Sequence, residues 1–90
     1  MRFYVYLIIS KKTDRYTSYV GYSKNVKKRL ELHNKSKGAK FTRGRKWKVL
    51  YKEKYFTKSK ALSREHYMKK NRKFRNLVKK LYKWKKNLYK

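Results

Sequence analysis

No cysteine occurs in this 90-residue chain, which excludes a disulfide framework and any thiolate metal site. It also agrees with a reducing, cytoplasmic setting. Proline is absent and glycine occurs only three times, so no Pro- or Gly-rich linker divides the chain. Two histidines and four carboxylates are too few for a multi-ligand metal cage. The apolar run near the N-terminus, Val5 to Ile9, is too short to cross a bilayer. The opening MRFYVYLIIS has no small-residue cleavage site after it and alternates as a strand does. It reads as part of the mature fold rather than a signal peptide.

Positive charge is what the chain has in excess. Lysine and arginine number 31 against four acidic residues, a formal net charge of +27. A compact domain this charged repels itself and calls for a polyanionic partner. Nucleic acid is the natural one, with anionic lipid second. Ten tyrosines lie among the aromatics, and their flat, polar-tipped rings suit half-buried surfaces and stacking on bases. The length allows one domain, near the lower end of what a single hydrophobic core can hold together.

The pattern predicts a strand over Phe3 to Ser10, with Phe3, Val5, Leu7 and Ile9 on one side and Tyr4, Tyr6 and Ile8 on the other. KKTDRY is a polar connection with Asp14 at the turn, and Thr17 to Tyr22 makes the returning strand. Ser23 is the expected N-cap of a helix reaching about Asn34. Residues 35–46 form a basic loop, Trp47 to Phe56 a third strand, and Thr57 or Ser59 caps a second helix ending near Lys70. From Asn71 onward Phe74, Leu77, Val78, Leu81, Trp84 and Leu88 recur at helical spacing. The expectation is an α+β fold: a small three-stranded antiparallel sheet flanked by helices, a ββαβα core with an additional C-terminal helix.

Polar groups sit on the wrong faces of two of these helices. At about 100° per residue, Val26 and Leu30 face the sheet, and Arg29 and His33 lie beside them, one turn apart. The second helix has Ala61, Leu62 and Met68 as its apolar stripe, with Glu65 in the middle. A carboxylate turned toward a core is costly unless paired, hydrogen-bonded or bound to a metal. Pairing with Arg29 or a nearby lysine is the plain structural explanation. The alternative is a cleft in which a divalent ion rests on the carboxylate and cations support phosphodiester chemistry.

These residues resemble the GIY-YIG nucleases, in particular small single-domain members related to the catalytic domain of UvrC-type excinucleases. The first motif corresponds to Tyr4, Val5 and Tyr6, and the second to Tyr19, Val20 and Gly21. NVKKRLELHN is similar to the family's arginine helix, and Glu65 stands at its metal-binding glutamate. The glycine of the first motif is Tyr4 here, a position whose backbone pairs as any strand residue does. The resemblance implies a nuclease domain over residues 1–72, with a basic amphipathic helix over 73–90 extending it. It implies Tyr6, Tyr19, Arg29, His33 and Glu65 as catalytic residues. Arg29 would stabilise the charged phosphoryl group, and Glu65 would be the sole protein ligand of Mg²⁺ or Mn²⁺.

The sequence thus leads to a metal-dependent DNA endonuclease of repair or recombination, with no small-molecule cofactor and no membrane partner. Lys40, Thr42, Arg43 and Arg45 are the expected contacts to the DNA backbone; branched, nicked or single-stranded preference and oligomeric state stay open. A non-catalytic basic nucleic-acid-binding protein is the rival reading. Ser23 with Tyr22 and Asn25 at the helix entry, Glu53 on the third strand and His66 are secondary candidates. Capping is the expected role of Ser23, an ion pair that of Glu53, and surface exposure that of His66.

Overall fold

A computed structural model describes residues 2–12 and 15–88, with side chains as far as Leu81. The elements are β1 (Phe3–Lys12), β2 (Arg15–Ser23), α1 (Val26–Asn34), a 3-10 turn (Lys40–Thr42), β3 (Lys48–Tyr55), α2 (Lys58–Lys70) and α3 (Arg72–Leu88). The three strands pair antiparallel in the order β2-β1-β3, giving the α+β architecture the pattern predicts. Among the described residues no helix is long and apolar enough to cross a membrane.

β1 is central because both of its faces are apolar. Phe3, Val5 and Leu7 pack on Ala61 and Met68 of α2, joined by Phe74 and Val78 of α3. Tyr6 and Ile8 meet Val26, Leu30 and Trp47 from the other side. Val5, Leu7 and Ile8 are fully buried, each contributing about 1.5–3 kcal/mol relative to exposure. Truncating any one of them costs a large part of the stability of so small a core. β2 is left as an edge strand.

The cap of α1 corrects the expectation. Pairing with Tyr4 carries β2 as far as Ser23, so the helix starts later, and Asn25 rather than Ser23 is the N-cap. Asn25 Oδ1 accepts the Lys28 N–H at 3.0 Å, while Ser23 Oγ accepts the Asn25 N–H at 2.9 Å. Thr57 caps α2 through the Lys60 N–H. Asn71 separates α2 from α3: its N–H donates to the Tyr67 carbonyl, and its Oδ1 accepts the Phe74 N–H at 2.9 Å.

Glu53 forms the expected structural ion pair, with Arg64 as its partner. Arg64 Nε and Nη2 donate to the carboxylate at 2.8 and 3.1 Å, and the hydroxyls of Tyr51 and Tyr55 donate to it as well. Burial works to raise the Glu53 carboxyl, but Arg64 and the two phenols outweigh it and hold it below its ordinary value. The guanidinium also lies 4.8 and 5.0 Å from the rings of Tyr67 and Phe74, so one charge pair joins β3, α2 and α3. Leu62, Leu77 and Leu81, read as core-facing, are instead exposed. The helices reach the core through Ala61, Met68, Phe74 and Val78, and the sheet is too narrow to cover a wider stripe. Asp14 and the side chains of Trp84 and Leu88 lie outside the described residues.

Candidate active site

The site begins with a missing side chain. Tyr6 on β1 pairs with Gly21 on β2, and a Cβ at Gly21 would stand 2.3 Å from the Tyr6 hydroxyl oxygen. Glycine therefore lets the phenol cross the neighbouring strand toward α1. There it meets His33, fully buried, whose Nε2 lies 2.9 Å from the Tyr6 oxygen.

The other face of the imidazole determines which nitrogen carries the proton. His33 Nδ1 lies 2.8 Å from Thr42 Oγ1, and Thr42 Oγ1 donates to the Ala39 carbonyl at 2.8 Å. A threonine hydroxyl has one hydrogen, and a carbonyl can only accept. Thr42 Oγ1 must then accept from Nδ1–H, which leaves the lone pair of the neutral ring on Nε2. Tyr6 O–H donates to that lone pair. The imidazole is oriented to receive the proton of Tyr6.

The loop after α1 is held against this histidine. A Cβ at Gly38 would lie 2.4 Å from His33 Nδ1, so the backbone there passes directly over the ring. Trp47 Nε1 donates to the Thr42 carbonyl at 2.9 Å, and Asn34 brackets the Trp47 backbone, accepting its N–H at 2.6 Å and donating to its C=O at 3.2 Å. Burial pushes His33 below the usual histidine value, and the Arg29 charge adds to the effect. The ring is kept neutral.

Arg29, Tyr19 and Glu65 complete the surroundings of Tyr6. Burial is the chief reason the Tyr6 phenol is pushed up to about 12; Arg29 opposes it by hydrogen bonding and charge, while Tyr19 and Glu65 reinforce it. The Tyr19 ring meets His33 edge-on at 5.3 Å. Glu65 comes from α2 with its side chain 19% exposed, and Lys69 Nζ pairs with it at 3.4 Å. Lys69 also lies 5.7 Å from the Tyr19 ring. Because β2 is an edge strand, side chains from α2 reach around it to the Tyr19 face. The residues read from the sequence as catalytic thus gather around one phenol, and the lysine partner of Glu65 is Lys69.

Of the basic-loop residues, Lys40 and Arg43 are exposed and Arg45 is half-buried. Thr42 is a correction: it is fully buried, and both sides of its hydroxyl are engaged within the protein, so it supports His33 and does not face DNA. Sequence reasoning missed this role because Thr42 lies nine residues beyond His33, outside any helical spacing. His66 is exposed, as expected.

Among the described residues no group of three or more His, Cys, Asp or Glu could hold a metal. Glu65 offers a single hard oxygen donor group beside the phenols. That suits Mg²⁺ or Mn²⁺, which keep waters and take substrate phosphate oxygens as further ligands, and does not suit zinc.

A model of the GIY-YIG catalytic domain matches residues 2–87. The UPF0213 protein OB0043 of Oceanobacillus iheyensis is 40% identical over 75 residues, which are 82% of this chain and 84% of that protein. The UPF0213 protein CPE1444 of Clostridium perfringens is 44% identical over 68 residues, 74% of this chain and 70% of that one. The solution NMR structure of the UPF0213 protein BH0048 from Bacillus halodurans is 31% identical, covering 90% of this chain and 85% of its own, with a TM-score of 0.49. Because the catalytic-domain model matches residues 2–87, nearly the whole of this chain, the chain belongs to the GIY-YIG family of nuclease domains.

Proposed function

We propose that this protein is a metal-dependent DNA endonuclease that hydrolyses phosphodiester bonds in repair or recombination intermediates. The observation that carries the reading is the grouping of Tyr6, Tyr19, Arg29, His33 and Glu65, with Arg29, Tyr19 and Glu65 all acting on the Tyr6 hydroxyl.

In this reading Tyr6 takes a proton from the attacking water while passing its own to His33 Nε2. The water oxygen bonds to phosphorus, and the bond to the leaving oxygen breaks. The leaving oxygen takes a proton from solvent, and the imidazolium later releases its own. The ~12 value of Tyr6 means the phenol is not ionised beforehand, so it works by handing its proton on. Arg29 neutralises the charge that gathers on the phosphoryl oxygens. Glu65 would hold the divalent cation, which when bound supplies electrophilic support to the phosphate. Lys40, Arg43 and Arg45 contact the DNA backbone from the loop over His33. The C-terminal helix extends the same domain, with Phe74 and Val78 on its core.

Nicking of supercoiled plasmid with and without Mg²⁺ tests the reading. Glu65→Gln is expected to abolish cutting while DNA binding survives, and Arg29→Ala to slow it by about 10²–10³-fold. A Glu65→Gln variant cutting at the wild-type rate would overturn it.

A further inference from the structure

Phe41, at the centre of the 3-10 turn, takes no part in the hydrolysis, yet the residue is 60% exposed. It stacks on Tyr19 with ring centroids 6.0 Å apart and planes 21° apart, yet most of the residue stays open to solvent. Beside it, a shallow cavity of about 380 Å³ is lined by Ser18, Tyr19, Val20, Phe41, Lys69 and Arg75. Arg75 is held in place by donating to the carbonyls of Met68 and Lys69 at 2.8 and 2.5 Å. A flat apolar surface and two cations therefore stand together, one ring away from the histidine of the site.

From this arrangement we infer that Phe41 and the adjoining cavity form a stacking site for an unpaired nucleobase next to the phosphate to be cut. The substrate is DNA with at least one base outside the duplex stack. The inference rests on the proposed function, which brings a phosphodiester to Tyr6 and Arg29. The cations favour an anionic strand and disfavour a basic peptide, and a single planar ring offers an aromatic face that every base can use. A base within a duplex has both faces already covered. It must be unstacked before it reaches Phe41, a cost that an unpaired base does not carry.

The test compares a short duplex containing one unpaired 2-aminopurine with the same duplex fully paired, both titrated without divalent metal so that nothing is cut. The wild type is expected to bind the unpaired form at least about fivefold more tightly, with a change in 2-aminopurine fluorescence on binding. Phe41→Ala should remove the preference and leave affinity for the paired duplex unchanged, and Phe41→Trp should retain the preference. Phe41 is exposed, and circular dichroism confirms that each variant is folded. An undiminished preference in Phe41→Ala, or none in the wild type, overturns the stacking site. Plasmid nicking reports separately on the hydrolysis: a wild type that nicks but shows no preference dependent on Phe41 loses the stacking site alone. A wild type that shows the preference and cuts no DNA keeps the stacking site and loses the nuclease reading.

Discussion

Gly21 stands opposite Tyr6 across the β1–β2 pairing, and only the absence of a Cβ there lets the phenol reach His33. Replacing the glycine by alanine drives a methyl group into the aromatic ring, with no escape that preserves the bond to Nε2. Gly21→Ala is expected to cost about 1–3 kcal/mol through overpacking, seen as a lower melting temperature. Nicking activity should fall further than that loss of folded protein explains.

Thr42 makes a second prediction about the same histidine. Thr42→Val keeps the shape but removes the acceptor for Nδ1–H, leaving a buried donor unsatisfied at about 1–3 kcal/mol. Thr42→Ser keeps the hydroxyl. Nitrogen-15 NMR of labelled histidine should show the Nδ1–H tautomer of His33 in the wild type and in Thr42→Ser, and a mixed population in Thr42→Val. Cutting should fall in Thr42→Val, by as much as about 10²-fold, and stay near wild type in Thr42→Ser.

The pH dependence of cutting follows from the direction of the His33 shift. Its folded value is held below the ordinary 6.5, so the neutral ring that accepts the Tyr6 proton persists below that pH. The acid limb of the kcat/KM profile should therefore fall below pH 6.5. Stability runs the same way: between the unfolded and the lower folded value, the unfolded chain takes up a proton that the folded one does not, so stability declines as pH falls.

Glu53 governs a more acidic window. Its folded value is depressed below 4.5, so the stability it contributes is fully present above that pH and is lost as pH drops through the folded value. Urea unfolding of Glu53→Gln should show lower stability than the wild type at neutral pH, with the difference shrinking in acid. Cutting per folded molecule should be unchanged, because the Glu53–Arg64 pair joins β3 to the helices away from Tyr6.

Much of the fold was legible in the chain. β1 announced itself by two apolar faces and α2 by a Thr57 or Ser59 cap, of which the structure uses Thr57, and the inward placement of Arg29, His33 and Glu65 followed from helical periodicity. Misreadings arose where local signals had a rival use. Ser23 is a good capping residue, but strand pairing with Tyr4 claimed it and left the cap to Asn25. Leu77 and Leu81 obey the helical stripe, yet the sheet beneath them is too small to cover them.

The sequence by itself determined that the protein is a basic α+β chain with polar residues turned inward, because charge, periodicity and strand alternation depend on near neighbours along the chain. Only the tertiary structure decided that Thr42 orients His33 and that Gly21 makes room for the Tyr6 phenol, whereas the Lys69–Glu65 pair has the i,i+4 spacing of one helix. In the first two of these relationships the residues meet from separate elements. Their outcome depends on packing distances of a few ångströms, which no residue spacing specifies.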